Sequence, residues 1–227
     1  MTIEVDCTVS PTTVTDTQKT NIKSSSTLRL EPATVSDVEQ LTDVWYAAFG
    51  PTLDGMFPNT PAVRQWWNDA HRNDILNKPF QRYVKVTDTA GDGKPIAWAK
   101  WDFSTAAERG PRFPPWHEEC DKDLCSRFFG TLETERERLL GGKKNYYLDM
   151  LATRPEHERR GAGSMLVQWG CDVADKDGVP AYIDASKAGA PLYKRFGFED
   201  RTEPGMGFPD IVSMVREPKP RDQGKKE

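Results

Sequence analysis

The chain has 227 residues, 37% hydrophobic and 29% charged, which suits one α/β domain with a modest core. Thirty-one basic residues against 35 acidic ones give a formal charge of −4, which argues against nucleic-acid binding through a general basic surface. No run approaches the roughly 18 apolar residues of a membrane span, no apolar stretch follows a basic start as in a secretory signal, and collagen, coiled-coil and disulfide-scaffold compositions are excluded.

Residues 1–27 hold eight Thr and four Ser and no hydrophobic periodicity, so they are expected to form a disordered tail. A strand follows over 28–31. Ser36-Asp37-Val38-Glu39 reads as a capping box that opens a helix, with Val38, Leu41, Trp45 and Ala48 at helical spacing to about Phe49. A second helix is expected over 60–76, with Val63, Trp66, Trp67 and Ala70 on one face. Strands over 80–87 and 96–103 flank the turn Gly91-Asp92-Gly93. The stretch 109–116, RGPRFPPW, reads as an ordered loop, and 121–140 as a long amphipathic helix closed by Gly141-Gly142. Strands at 146–153, 181–186, 198–201 and 211–216 then alternate with helices at 161–177 and 191–196. The folded unit is expected over 28–216, with a charged tail over 217–227.

Four cysteines without a CxxC pair, and His71, His117 and His157 without ligand spacing, read as reduced thiols and a protein without a metal. A soluble, cytoplasmic protein is expected.

The chemistry is concentrated after the strand at 146–153. There the sequence Glu158-Arg159-Arg160-Gly161-Ala162-Gly163 leads into a helix. Small residues at 161 and 163 let another molecule approach the backbone, and the helix turns unpaired N–H groups and its positive end toward it. This is an anion site suited to phosphate. About thirty residues on stands Gly189-Ala190-Pro191-Leu192-Tyr193-Lys194-Arg195-Phe196-Gly197-Phe198. With strands before each helix, the pair resembles the GNAT (Gcn5-related N-acetyltransferase) superfamily. The wording LATRPEHERRGAGSMLVQWG followed by LYKRFGF is similar to small GNATs of filamentous fungi. The resemblance is strongest over 145–200, extends by element order to 28–103, and is absent from the tails and from 104–140.

The resemblance implies a twisted mixed central sheet flanked by helices, with acetyl-CoA entering between two splayed parallel strands. It places the pyrophosphate on the loop formed by Glu158, Arg159, Arg160, Gly161, Ala162 and Gly163 and on Ser164, with Glu158 where the family has Gln or Arg. It lays the pantetheine along Met150, Leu151, Ala152 and Thr153, gives Ser186 a contact in place of an Asn, and sets Tyr193 against the CoA sulfur. A phenol with a pKa near ~10 can protonate a departing thiolate. An acceptor amine with a pKa of ~10.4 must first lose a proton, which costs roughly 4–5 kcal/mol at neutral pH. Asp149 and Asp184, on adjacent strands, are the candidate bases, each with a strand-end salt bridge as the alternative.

Trp45, Tyr46, Phe49, Phe57, Trp66 and Trp67, with Phe113 and Trp116 of the proline-rich stretch, either fill the core or line an acceptor cleft. The expected activity is acetyl transfer to a small-molecule amine by direct transfer from a ternary complex. A protein lysine or N-terminal acetyltransferase and an inactive CoA-binding module are the alternatives, and a monomer and a homodimer both remain open.

Overall fold

The computed structural model describes residues 27–105 and 107–220. Of the tail expected over 1–27, residues 1–26, Cys7 among them, lie outside the described residues, as do residues 221–227.

Seven strands form one mixed sheet in the order β1 (Leu28–Pro32), β2 (Gln81–Asp88), β3 (Pro95–Asp102), β4 (Tyr146–Thr153), β5 (Ala181–Ser186), β7 (Ile211–Arg216), β6 (Glu199–Asp200). All neighbours are antiparallel except β4 and β5. Every residue of β3 is buried, as its position in the middle of a sheet covered on both faces requires.

On one face lies α4 (Ala162–Asp177), whose Leu166, Val167, Cys171 and Ala174 pack on Val84, Ala99, Leu148 and Ile183. Gly170 of α4 has no room for a side chain, because a Cβ there would fall 2.1 Å from the indole of Trp101. The short α5 (Ala190–Lys194) joins the same core through Ala190 and Tyr193. On the other face, α1 (Val38–Leu53) and α2 (Pro61–Asn77) enclose an aromatic core of Trp45, Phe57, Trp67, Tyr83 and Trp98. The long α3 (Lys122–Leu140), between β3 and β4, reaches toward β7 on this second face, where Leu140 joins Tyr147, Tyr182 and Val215.

Four details differ from the sequence reading. The capping box is formed by Thr34 and Asp37, whose carboxylate accepts from the Thr34 amide at 2.7 Å and hydroxyl at 3.0 Å, and not by Ser36 and Glu39. It opens a 3-10 turn at Val35–Asp37 ahead of α1. Helix α1 runs past Phe49 and through Pro51, which forfeits an N–H bond, and closes as the Met56 and Phe57 amides bond to the Leu53 carbonyl. Helix α5 is displaced by one residue and ends at Lys194, and β6 has only two residues. Among the described residues, no helix is long and apolar enough to cross a membrane, and no cluster of three or more His, Cys, Asp or Glu side chains could hold a metal ion.

Candidate functional site

The two parallel strands part almost at once. The register between β4 and β5 consists of Tyr146↔Ala181 and Tyr147↔Tyr182 and ends there. Beyond it the edge of β4 that faces β5 has no ladder partner, and the wedge between the strands opens toward their C-terminal ends. A bulge sits at its apex. Lys100 lies opposite Met150 but Trp101 lies opposite Leu148, so Asp149 is the extra residue. Leu148 and Leu151 therefore turn to the α4 face, while Asp149 and Met150 both turn to the opposite one. The Asp149 side chain is only 2% exposed although the residue as a whole is half-buried, so what it presents to the wedge is main chain.

At the far end of β4 the chain makes a 3-10 turn at Pro155–His157 and enters α4 through a left-handed loop, with Arg159 at φ 62° and Gly161 at φ 100°. The second value is one that a glycine adopts without strain. The first helical bond runs from the Met165 amide to the Gly161 carbonyl, so the amides of Ala162, Gly163 and Ser164 precede the ladder and are left to point outward. Arg195 of the next turn donates to the Ser164 hydroxyl at 3.2 Å, which brings its charge to the same helix end. Glu158 is exposed and makes no ion pair among the described residues. Arg160 instead bonds to Asp88 of β2 at 2.5 Å and to His157 Nδ1 at 2.8 Å. Hydrogen bonds from Thr27, Arg160 and the Ala90 amide hold the Asp88 carboxyl down at about 2.

Tyr193 is buried on α5 against Phe198, and burial pushes its phenol well above the usual tyrosine value. It stays protonated throughout the physiological range and is therefore a donor. Ser186, at the end of β5, is exposed and its hydroxyl accepts from the Gly189 amide at 3.0 Å, so it shapes the turn into α5.

The two carboxylates expected as bases are opposites electrostatically. Asp149 is held on both oxygens, Oδ2 by Lys100 Nζ at 3.0 Å and Oδ1 by Arg112 Nη2. Burial alone would raise its pKa, but these two cations bring it down to about 2. Among the described residues, Asp184 has no cation in contact. It accepts from the hydroxyls of Tyr182 at 2.6 Å, Tyr147 at 2.9 Å and Ser213 at 3.3 Å, and burial outweighs those bonds and Arg112's more distant charge to lift it to about 6. A carboxyl that titrates just below neutrality can both accept and release a proton at working pH, whereas one held at about 2 by two cations is a weak base.

Residues that the sequence reading did not single out dominate this face. Lys100, 1% exposed in the middle of β3, bonds to Asp74 at 2.7 Å as well as to Asp149. Burial favours its neutral form, but the two carboxylates prevail and hold its pKa above the usual lysine value. Asp74 also meets Lys78 at 2.8 Å and accepts from the Tyr83 hydroxyl at 2.9 Å. Arg112 comes from the proline-rich stretch and stacks on the rings of Phe113, Phe129 and Tyr147 at 5.1, 4.9 and 5.1 Å. The sequence signal was present in both cases: a lysine inside the otherwise apolar run PIAWAKW, and an arginine between prolines. Neither signal names its partner.

The aromatic residues divide. Trp45, Tyr46, Phe57 and Trp67 are buried core. Trp66, Phe113 and Trp116 are half-buried and stack on one another, and Trp66 Nε1 donates to the Pro115 carbonyl at 2.9 Å, which fastens segment 109–116 to α2. Lys78 Nζ donates to the Pro111 carbonyl at 3.3 Å and adds a second tie.

A wedge between parallel strands that ends on a left-handed, cationic loop at a helix N-terminus has the length and charge to accept a long ligand with a phosphate at one end. The Acetyltransferase (GNAT) family profile matches residues 60–198, more than half of the chain, and the chain belongs to that family. An acetyltransferase of Stachybotrys chartarum is 32% identical over 83 residues, 35% of each chain. The probable acyltransferase SID5 of Ajellomyces capsulatus is 43% identical over 58 residues, 26% of this chain and 43% of that protein. The matched stretches thus span less than half the length of either curated relative. In fold, the PaiA N-acetyltransferase of Thermoplasma acidophilum, solved with coenzyme A, is similar at a TM-score of 0.53 and 12% identity, over 84% of this chain and 98% of that one.

Proposed function

We propose that the chain is an acetyl-CoA-dependent N-acetyltransferase that passes the acetyl group directly to a small-molecule amine. The observation that carries this reading is the wedge between β4 and β5, open from Asp149 onward and leading to the left-handed loop before α4. Three outward amides at 162–164, the helix end, Arg159 and Arg195 suit the pyrophosphate, and Glu158, exposed and outside the cradle of amides, does not block it. The open edge of β4 over Met150, Leu151, Ala152 and Thr153 suits the amide-bearing pantetheine arm. When bound, acetyl-CoA supplies an acetyl thioester.

The chain's own residues supply the proton chemistry. Asp184 takes a proton from the acceptor's ammonium, directly or through water, because its carboxyl is poised near 6 and has no cation partner. Tyr193 keeps its proton at working pH and donates it toward the departing sulfur, and the second proton that the nitrogen sheds as the amide forms restores the phenol. Asp149 acts as an anchor: it fixes Arg112 and Lys100 at the apex of the wedge. A small acceptor is favoured over a peptide because segment 109–116 and α3 lie over this face, tied down by Trp66, Lys78 and Arg112. A reducing compartment suits the buried free thiols of Cys120, Cys125 and Cys171.

Thiol release from acetyl-CoA, measured across a panel of amines, tests the reading. Turnover with at least one small amine is expected, and Tyr193→Phe should lower kcat on the order of 10²-fold while CoA affinity holds. Release that no amine accelerates would overturn the transferase reading, and unchanged turnover in Tyr193→Phe would overturn the role of the phenol.

A further inference from the structure

We infer that the acceptor is an amine that also carries a carboxylate, and that Arg112 receives this carboxylate at the inner end of the cleft between segment 109–116 and α3. The inference rests on the acetyltransferase reading above and names its substrate class. The cleft encloses about 560 Å³, and its walls include Arg109, Arg112, Phe113, Trp116, Phe129 and Glu133. Apolar rings with two guanidinium groups and one carboxylate suit a molecule with an apolar body and an anionic end.

Arg112 itself is incompletely satisfied. Its Nη2 is committed to Asp149, but Nε and Nη1 are buried and have no hydrogen-bond partner among the described residues. Buried donors on a charged group are rarely left this way, because each forfeits the hydration it had in the unfolded chain. The rings of Phe113, Phe129 and Tyr147 hold the guanidinium in place, yet a π face is a much weaker acceptor than a carboxylate oxygen.

The local charge points the same way. Lys78, Lys100 and Arg112 share the carboxylates of Asp74 and Asp149, so three cations meet two anions. Arg109, the other cation of the cleft, is held by long contacts, 3.5 Å to Glu133, 4.0 Å to Asp102 and 3.4 Å to the Ser104 hydroxyl. A singly charged anion balances the cluster, and a carboxylate matches the planar donors of a guanidinium.

The spacing also fits. Tyr147 stands between the two ends of the proposed site: its ring lies against Arg112 at 5.1 Å and its hydroxyl donates to Asp184 at 2.9 Å. An acceptor that spans one tyrosine side chain, amine toward Asp184 and carboxylate toward Arg112, carries the two groups several bonds apart, as the terminal amine and the carboxylate of lysine are.

The test uses matched pairs that differ only by a carboxylate: lysine and cadaverine, 6-aminohexanoate and pentylamine, 5-aminopentanoate and butylamine. For each pair kcat/KM is measured by thiol release, and binding by calorimetry in the presence of CoA. The expected result is a preference of at least about tenfold for the carboxylated member of one pair, in kcat/KM or in affinity. Arg112→Gln should collapse that ratio, and Arg112→Lys, which keeps the charge but loses the fork, should restore part of it. A ratio near one in every pair, or a ratio that Arg112→Gln leaves intact, would overturn the inference. If cadaverine, pentylamine or butylamine is acetylated and its carboxylated twin is not, only this inference fails. If acetyl-CoA does not bind at all, the transferase reading fails with it. Melting curves of each variant show whether it is folded, and the lysine variant serves if the glutamine one is not.

Discussion

The stretch from Tyr146 to Asp200 and the face built by α1, α2, α3 and segment 109–116 solve different problems by different means. The first works through the main chain: a bulge at Asp149, two strands that part after Tyr147, a positive φ at Gly161, and three amides ahead of the first helical bond. The second works through side chains drawn from distant positions, as Asp74, Lys100, Arg112 and Asp149 meet in one buried cluster. A main-chain site needs residues that permit a conformation, and those stand close together in sequence. A side-chain site needs charges to meet across the sheet, and their spacing in the chain is arbitrary.

If that division holds, variants on the two sides should fail differently. The largest effect is expected at Asp184: with the proposed base removed, Asp184→Asn should lower kcat/KM by about 10²–10⁴-fold while the melting point with CoA stays close to that of the wild type. The wild-type profile of kcat/KM against pH should rise through about 6, because the group is active only when ionised. A flat profile between pH 5 and 8 would move the proton transfer to another group.

Next comes the buried cluster. Lys100→Met removes the cation that Asp74 and Asp149 share and should cost about 3–5 kcal/mol in denaturant unfolding. The acid limb should move as well. Asp149's pKa lies below its unfolded value of ~3.9, so its contribution is complete above that value and is lost as pH falls toward about 2. Lys100→Met raises the folded pKa, so the acid loss sets in at a higher pH. Asp184 acts in the opposite sense: its raised carboxyl favours the folded state below ~4, and that advantage is lost as pH rises through about 6. A variant as stable as the wild type with an unmoved acid limb would show that the cluster contributes little.

Packing behind the wedge is tested by Gly170→Ala, whose new methyl meets the Trp101 ring and should destabilise by about 1–3 kcal/mol. The smallest effect is expected at the loop. Asp88→Asn releases Arg160 toward the phosphate site and should tighten CoA binding a few-fold, more at low salt than at high salt. Weaker binding would mean that Asp88 positions the loop and does not compete for its arginine.

How far the sequence could be read follows the same division. Strands at Tyr146–Thr153, Ala181–Ser186 and Ile211–Arg216 and the glycine-opened α4 were legible because hydrophobic period and glycine placement act locally. The capping box was misplaced because Thr34 and Asp37 cap with a shorter carboxylate than the Ser-x-x-Glu pattern they precede. Helix α1 outran its expected end because the loss of one bond at Pro51 is outweighed by burial of the turn that follows, where Met56 and Phe57 sit in the aromatic core. The wedge was anticipated by resemblance; the bulge that turns Asp149 away from the strand's alternation was not, because the sequence YYLDMLAT gives no sign of where the register slips. Lys100 and Arg112 were invisible as partners for the reason already given: Asp74 and Asp149 lie 26 and 49 positions from Lys100 in the chain.

Whether the wedge and its loop hold acetyl-CoA is decided by thermal melting with and without acetyl-CoA and free CoA. At 100 times its dissociation constant a ligand stabilises the folded state by about 2.7 kcal/mol, an easily measured rise in midpoint. Both ligands are expected to raise it. No shift at millimolar concentration of either would contradict the account.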